Sequence, residues 1–166
     1  MALLDSIVRG AIDPAMALLP AKMDSAPARV MLLAIGLQES RFLYRAQKTN
    51  TPGVKGPARG FWQFERGGGV VGVLTHEATR LLARGVCEAR QVQPLALAVH
   101  PRLEFDDVLA AAFARLLLWA DVPPLPSVDA DHETAWQCYT RSWRPGKPHR
   151  ATWDAFHAQA RAQVGA

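Results

Sequence analysis

A helix with no polar face constrains this chain more than any other feature of the sequence. Residues 30–35 read Val-Met-Leu-Leu-Ala-Ile, and a helix that is apolar on all sides has to be buried in a core. Ser25 is its predicted N-cap, Pro27 stands in its first turn, and the helix is predicted to end near Phe42. The chain has 166 residues, so one domain can enclose this helix without a disulfide or a metal ion.

Helical periodicity or capping signals predict helices over most of the remaining chain, whereas residues 49–69 are rich in Gly and Pro, which favour turns. Within that segment, the Phe-Trp-Gln-Phe sequence of residues 61–64 is typical of a short strand or hairpin. The glycine-rich residues 67–72, which begin with a Gly triplet, predict a mobile loop. The chain is therefore expected to be a single, mainly α-helical domain with a small β-hairpin or Gly-rich loop insertion. The other predicted helices cover residues 2–11, 13–20, 70–84, 105–120, 132–142 and 152–163, the last capped by Thr152.

Charge and composition narrow the function classes without selecting one. The formal net charge is +4 and the sequence pI is about 9.5, which favours an anionic partner such as nucleic acid, an acidic membrane surface or a bacterial cell wall. No run of about 18 apolar residues occurs, so no membrane span is predicted. The first residues lack a basic region and Asp5 interrupts their apolar stretch, so no signal peptide is expected. Cys87 and Cys138 are expected to be buried free thiols, although a pair remains open.

Glu39 is the residue that a purely structural interpretation explains least well. It falls in the last turn of the apolar helix, on the same face as Ile35 and Gly36, and the glycine is expected to leave open space beside it. Desolvation and the negative end of the helix dipole should both raise the pKa of this carboxyl. A carboxyl that stays protonated near neutral pH can serve as a general acid. The alternative is a structural ion pair with Arg41 or Arg45.

Three segments resemble motifs of the lysozyme-like superfamily, especially lytic transglycosylases and goose-type lysozymes. Residues 37–42, Leu-Gln-Glu-Ser-Arg-Phe, resemble the catalytic Glu-Ser motif. Residues 58–63, Ala-Arg-Gly-Phe-Trp-Gln, are similar to the family's Ala-x-Gly-Leu-Met-Gln, with Phe-Trp in place of Leu-Met. Tyr139 corresponds to a Tyr that supports the acid, but the usual Ala-Tyr-Asn-x-Gly spacing is not kept, and residues 139–148 look like a phage-type variant. The resemblance extends in order over residues 28–157.

The resemblance implies a lysozyme-like catalytic domain over residues 25–166, with residues 1–24 as an N-terminal helical segment of the same domain. It implies cleavage of peptidoglycan with Glu39 as the general acid and Tyr139 hydrogen-bonded to its carboxyl. A lytic transglycosylase needs only this one carboxyl, because a hydroxyl of the muramic acid attacks. A hydrolase needs a second carboxylate, for which Glu65 is the candidate, unless Glu65 simply pairs with neighbouring arginine in solvent.

The predicted substrate contacts cluster around the two closer motifs. Gln63 follows a glycine that allows close backbone approach, so its amide is expected to bind a sugar or to orient Glu39. Trp62 is expected nearer the groove than Phe61 and Phe64, which are assigned to the core, and three further tryptophans are expected to pack. Three arginines are expected to bind carboxylates of the substrate; the alternative is that they form a solvated basic face. The remaining predicted contacts are Ser40, Arg59, Gly60 and Arg141, with Arg144 as a further arginine, and the packing tryptophans are Trp136, Trp143 and Trp153.

Other functional classes have weaker support. The histidines and cysteines form no metal-binding spacing and no Gly-x-Ser-x-Gly elbow occurs, so no cofactor or metal is predicted. A basic helical nucleic-acid-binding protein and a non-catalytic glycan-binding or virion structural module remain as alternatives, although no nucleic-acid partner is expected. The predicted partners are peptidoglycan glycan strands and other phage virion proteins. The predicted location is the virion or the host cytoplasm, with export to the cell wall during lysis or infection.

Overall fold

The computed structural model describes residues 2–165 and is mainly α-helical, with a small two-stranded antiparallel sheet. The predicted fold class of a helical protein with a small hairpin is confirmed. The α-helices, α1 to α9 in chain order, are Ala2–Ile7, Asp13–Ala17, Ala26–Ser40, Val71–Thr75, Arg80–Ala89, Ala96–Arg102, Asp107–Trp119, His132–Trp143 and Arg150–Val164. The strands β1 and β2 are Ala46–Lys48 and Lys55–Arg59.

Helices α3 and α7 form the centre of the core. Their middle residues are almost completely buried, as predicted for an apolar helix without a polar face. Helix α9 packs along α3, α8 packs on α9, and the N-terminal helices pack on α7. No helix between residues 2 and 165 is long and apolar enough to cross a membrane. Cys87 and Cys138 are free and buried, as expected.

The N-terminal region is one helical run, whereas two separate helices were predicted. A π-helical turn, Val8–Ile12, joins α1 directly to α2, and the junction residues Ile7 and Ile12 keep right-handed helical angles. The π turn lies just before Pro14, which cannot donate the usual backbone hydrogen bond of an α-helix. The chain therefore passes the proline without leaving the helix.

Helix α3 begins as predicted and ends two residues early. The Ser25 hydroxyl accepts a hydrogen bond from the backbone N–H of Ala28 (3.3 Å), which confirms the N-cap. Arg41 and Phe42 both adopt left-handed angles (φ 55°), so the chain turns back and the Phe42 ring lies on Gly36. A Cβ at position 36 would come within 2.1 Å of that ring. The expectation of open space beside Glu39 is therefore wrong, because the Phe42 ring fills the space next to Gly36.

The hairpin lies before the aromatic segment in which a strand or hairpin was expected. Strands β1 and β2 pair with Ala46 opposite Arg59, whereas residues 61–64 form a tight turn. Backbone N–H and C=O groups of Arg59 and Phe64 bond each other reciprocally (3.0 and 2.8 Å) to close it. All three aromatic side chains of this turn are buried. A strand would have directed neighbouring side chains to opposite faces, so the turn is what lets all three enter one core.

The segment after this turn is more helical than expected. Residues 67–69 lie in a π-helical turn, Arg66–Val70, that continues into α4, so the predicted loop is wrong. The predicted single helix over 70–84 is broken between α4 and α5, where the buried Thr79 hydroxyl donates to the Val73 carbonyl (2.7 Å). Helix α6, which contains Pro101, was not predicted.

The last three helices lie close to their predicted positions. Asp106, expected in the first turn of α7, is instead its N-cap and accepts from the Leu109 N–H (2.9 Å). Helix α8 matches its predicted range to within one residue. Helix α9 begins at Arg150, so Thr152 is not its cap. The Thr152 hydroxyl instead contacts the Gln38 side-chain oxygen (3.1 Å), which ties α9 to the end of α3.

Candidate active site

Glu39 lies in the wall of a cleft with a volume of about 1160 Å³. It is the second-last residue of α3 and is partly buried. The cleft is bounded by the end of α3, the turn at residues 61–65, the Gly-rich turn, and the end of α8 with the segment that follows it. Helix α3 is buried along most of its length, so the carboxyl is presented to the cleft from the end of a core helix.

Tyr139 is the hydrogen-bond partner of Glu39. Its hydroxyl donates to the Glu39 Oε1 atom (2.7 Å), which is the bond that the resemblance implied. The Tyr139 ring is buried and stacks on Trp153, with centroids 5.1 Å apart and planes 13° from parallel. Helix α9 therefore supports the tyrosine that fixes the rotamer of the carboxyl.

The surroundings of Glu39 favour its protonated form. The pKa of Glu39 is raised from 4.5 to about 7, mainly by burial and to a smaller extent by the nearby charge of Glu65. The hydrogen bond from Tyr139 acts in the opposite direction, because it stabilises the carboxylate. Burial is the largest of these effects, so near neutral pH a substantial fraction of the protein holds a proton on Glu39.

Replacing Tyr139 with Phe is expected to raise the pKa of Glu39 above its wild-type value of about 7. The substitution removes the donor that stabilises the charged carboxylate while burial is unchanged. The pKa would be measured by following the side-chain carboxyl carbon of Glu39 by NMR as the pH is varied. Tyr44→Phe is the matched control, since Tyr44 is exposed and lies outside the cleft. An unchanged or lower pKa in the Tyr139 variant would contradict the assignment.

Gln63 and Glu65 both line the cleft, as the sequence placed them. Gln63 adopts a left-handed backbone (φ 50°), and its side-chain Nε2 donates to the Gly60 carbonyl (2.8 Å). Its amide makes no hydrogen bond to Glu39, so the suggestion that it orients the acid is not supported by the structure. Glu65 is exposed, and its charge acts on Glu39 across the cleft.

Trp62 was predicted nearer the groove, and this prediction is wrong. The side chain is completely buried, and its Nε1 donates to the Leu32 carbonyl in α3 (2.9 Å). The tryptophan that does reach the cleft is Trp143, which was expected only to pack. Its Nε1 donates to the Trp62 carbonyl (3.0 Å), so it is held against the turn that contains Trp62.

Ser40 and Gly60 hold the site together and do not line the cleft. The buried Ser40 hydroxyl donates to the Phe61 carbonyl (2.7 Å) and fastens the 61–64 turn to the end of α3. Gly60 has a φ of 76°, and a Cβ at this position would lie 2.9 Å from the Leu103 carbonyl oxygen. Glycine is required here by backbone conformation and close contact. Neither residue reaches a ligand in the cleft, so both predicted substrate contacts are corrected to structural roles.

Two of the three arginines expected at the substrate, Arg59 and Arg141, are paired within the protein. Arg59 lies outside the cleft lining, and its Nε contacts Glu104 at 3.1 Å, so its predicted substrate contact is wrong. Arg141 does line the cleft, but its Nη2 lies 2.6 Å from the Oδ2 of Asp121. Asp121 is a cleft carboxylate that was not predicted, because a single Asp after a helix matches no sequence motif that would assign it to a site.

Comparisons with protein-family models, with curated proteins and with solved structures found no match to this chain. Within residues 2–165, no three His, Cys, Asp or Glu side chains are grouped so that they could hold a metal ion. The cleft is lined by carboxyl, hydroxyl, amide, imidazole, aromatic and basic side chains.

Proposed function

We propose that this protein is a muramidase that cleaves the β-1,4 glycosidic bond between MurNAc and GlcNAc in peptidoglycan. The observation that carries the proposal is the Glu39 carboxyl, which is held in a large cleft by a 2.7 Å hydrogen bond from Tyr139. The resemblance of residues 37–42 and 58–63 to lysozyme-like motifs supports the same function. Glycosidic cleavage needs a proton on the leaving oxygen, and the Glu39 carboxyl, with a pKa of about 7, is protonated in a substantial fraction of the protein near neutral pH.

The hydrogen bond from Tyr139 defines which oxygen carries the proton. Tyr139 donates to Oε1, so the proton of the neutral carboxyl is on Oε2, where it can pass to the glycosidic oxygen as the bond to C1 breaks. The resulting carboxylate keeps the hydrogen bond from Tyr139, which stabilises its charge. In a lytic transglycosylase, Glu39 then accepts the proton of the muramic acid C6 hydroxyl as that oxygen attacks C1 and forms the 1,6-anhydro product.

A lytic transglycosylase is favoured over a hydrolase. The two other carboxylates of the cleft that could activate water are Glu65 and Asp121. Asp121 accepts hydrogen bonds from Arg141 and from the Ser142 hydroxyl, so its oxygens are already occupied. Glu65 lines the cleft but is exposed to solvent. Glu65 remains the water-activating candidate if the reaction is hydrolysis.

The aromatic side chain suited to a sugar ring is Trp143. It is only partly buried, lines the cleft and is fixed by its hydrogen bond to the Trp62 carbonyl. Gln63 supplies a carbonyl oxygen that can accept from a sugar hydroxyl, since its hydrogen bonds use only the amide nitrogen. Trp143 thus replaces Trp62 as the proposed aromatic contact to the sugar, and Gln63 is kept as the polar contact.

The alternative of a basic nucleic-acid-binding protein has less support. Much of the arginine charge is neutralised by neighbouring carboxylates, as in Arg29, Arg45, Arg59, Arg90, Arg141 and Arg150. A non-catalytic glycan-binding or virion module has no need for a carboxyl with a raised pKa. The resemblance of residues 139–148 to phage-type enzymes extends the proposal to a phage or prophage lysin, acting at the host cell wall with virion proteins as further partners.

The experiment that tests this function is a digest of purified peptidoglycan by the wild type and by Glu39→Gln, with the soluble products analysed by mass spectrometry. We expect anhydro-muropeptides, which are one water lighter than hydrated products, from the wild type and none from the variant. Hydrated reducing ends would mean hydrolysis and would direct attention to Glu65. No release by the wild type would overturn the proposal and leave a glycan-binding or structural module.

A further inference from the structure

The segment between α8 and α9, residues 144–149, forms a basic wall of the cleft. The side chains of Arg144 and Lys147 are exposed, and His149 lies at the end of the segment. In the part of the chain that the structure describes, neither Arg144 nor Lys147 has an ion-pair partner. Neither of the cleft carboxylates Glu65 and Asp121 forms an ion pair with Arg144 or Lys147, so both positive charges are available to a ligand.

This basic wall is held at both ends. At its start, the Nε1 of Trp143 donates to the Trp62 carbonyl (3.0 Å). At its end, the Nε2 of Gln38 donates to the His149 carbonyl (2.9 Å), and Gln38 directly precedes Glu39 in α3. The wall is thus attached to the same helix end that carries Glu39.

Arg144 has a backbone conformation that favours glycine. It follows the last residue of α8 with φ 48° and ψ 52°, in the left-handed region, where helices commonly end on Gly. A residue with a Cβ atom has a higher conformational energy in this region than glycine does. Arg144 is thus the first residue after α8, and it lines the cleft.

We infer that the 144–149 segment recognises carboxylate groups carried by the glycan strand, so that the enzyme prefers anionic peptidoglycan to a neutral glycan. The inference rests on the proposed function and names the substrate class of the same cleft. Of the three arginines expected at substrate carboxylates, Arg59 and Arg141 are already paired within the protein, so Arg144 keeps this role and Lys147 joins it. A guanidinium and an ammonium that lack internal partners form charge-assisted hydrogen bonds with a carboxylate.

The carboxylates have two sources in peptidoglycan, the stem peptides and the lactyl groups of strands from which the stems have been removed. Three substrates distinguish them: intact peptidoglycan, peptidoglycan whose free carboxylates have been converted to amides with a carbodiimide and ammonia, and strands stripped of stems by an amidase. Wild type is expected to act about tenfold faster on the intact than on the amidated substrate. A high rate on the stripped strands would assign recognition to the lactyl carboxylate, and a low rate to the stem.

The variant that tests the wall is Arg144→Gln combined with Lys147→Gln. We expect it to lose about tenfold in rate on intact peptidoglycan and less than about twofold on the amidated substrate. Arg144→Lys should restore part of the preference. Arg84→Gln is the matched control, because Arg84 is exposed, unpaired in the described chain and outside the cleft, and it should behave as the wild type. An equal loss on both substrates would overturn the inference.

A binding measurement separates failure of this inference from failure of the proposed function. Glu39→Gln would be sedimented with intact and with amidated peptidoglycan, with and without the two wall substitutions. Carboxylate recognition predicts that Glu39→Gln binds the amidated substrate more weakly than the intact one. It also predicts that the two wall substitutions remove this difference. Both results would support the inference even if no bond is cleaved. Equal binding to the intact and the amidated substrate would overturn the inference. Salt-sensitive binding to duplex DNA that exceeds binding to peptidoglycan would also overturn it, in favour of nucleic acid.

Discussion

Replacing Glu39 with Gln is expected to lower the initial rate of peptidoglycan solubilisation by about 10²–10⁴-fold, the usual contribution of a general acid. The amide keeps the size of the side chain, and its oxygen still accepts the hydrogen bond from Tyr139, but it has no proton to give to the leaving oxygen. For the wild type, the rate should fall as the pH rises through about 7, where Glu39 loses its proton. Turbidity loss of wall suspensions measures both effects.

The stability of the same variant provides the control for its folding. Because the pKa of Glu39 is raised from 4.5 to about 7 on folding, the folded protein binds this proton more tightly than the unfolded chain. The resulting stabilisation is complete below pH 4.5 and is lost as the pH rises through about 7. Above pH 7, Glu39→Gln should therefore be more stable than wild type, by on the order of 2–3 kcal/mol.

Urea unfolding at about pH 5 and about pH 8 measures this difference. Glu88→Gln is the matched control, since Glu88 is exposed on α5 and away from the cleft, and it should change neither rate nor stability. A Glu39 variant that keeps wild-type activity would remove Glu39 from the mechanism. A variant that is less stable at both pH values would mean that its loss of activity reflects damage to the fold.

Replacing Trp62 with Ala is expected to cost about 3–5 kcal/mol in the free energy of unfolding. The side chain is fully buried, and it contacts the Phe42 ring edge-on with centroids 5.6 Å apart. Removing it leaves a cavity beneath the turn that carries Gln63, and it also removes the donor to the Leu32 carbonyl. Urea unfolding measures the loss.

The matched control is Phe105→Ala, because this aromatic side chain is 77% exposed. Its removal should change the free energy of unfolding by less than about 0.5 kcal/mol. If Trp62→Ala retained wild-type stability and lost only binding to peptidoglycan, the interpretation of Trp62 as a core residue would be wrong, and the sequence-based placement near the groove would be right.

The different outcomes for Glu39 and Trp62 follow from what each prediction depended on. Glu39 was singled out by a local argument: a carboxyl on the apolar face of a helix that must be buried experiences desolvation wherever that helix packs. The raised pKa confirms that argument. Trp62 was placed from the alternation of a strand that does not exist. Four residues are too few to distinguish alternation from a turn, and the packing of three aromatic side chains into one core decided the outcome.

The 58–63 motif shows the same division between local signal and tertiary contact. The sequence identified Gly60 as a position of close backbone approach, and the structure confirms this with a left-handed φ and the Leu103 carbonyl next to it. It did not identify the group that approaches, because Leu103 lies in a distant part of the chain. Arg59 was assigned to the substrate because Glu104, its partner, is equally distant in sequence.

The sequence by itself determined the helical class, the burial of α3, its Ser25 cap and the unusual position of Glu39. These depend on periodicity and on contacts between residues a few positions apart, which are encoded locally. The tertiary structure alone decided that Phe42 folds onto Gly36, that Trp143 and not Trp62 reaches the cleft, and that Asp121 neutralises Arg141 and leaves Arg144 and Lys147 free. Each of these outcomes depends on which surfaces meet when distant segments pack, because a pairing between two side chains is set by their positions in space and leaves no period or motif in either segment.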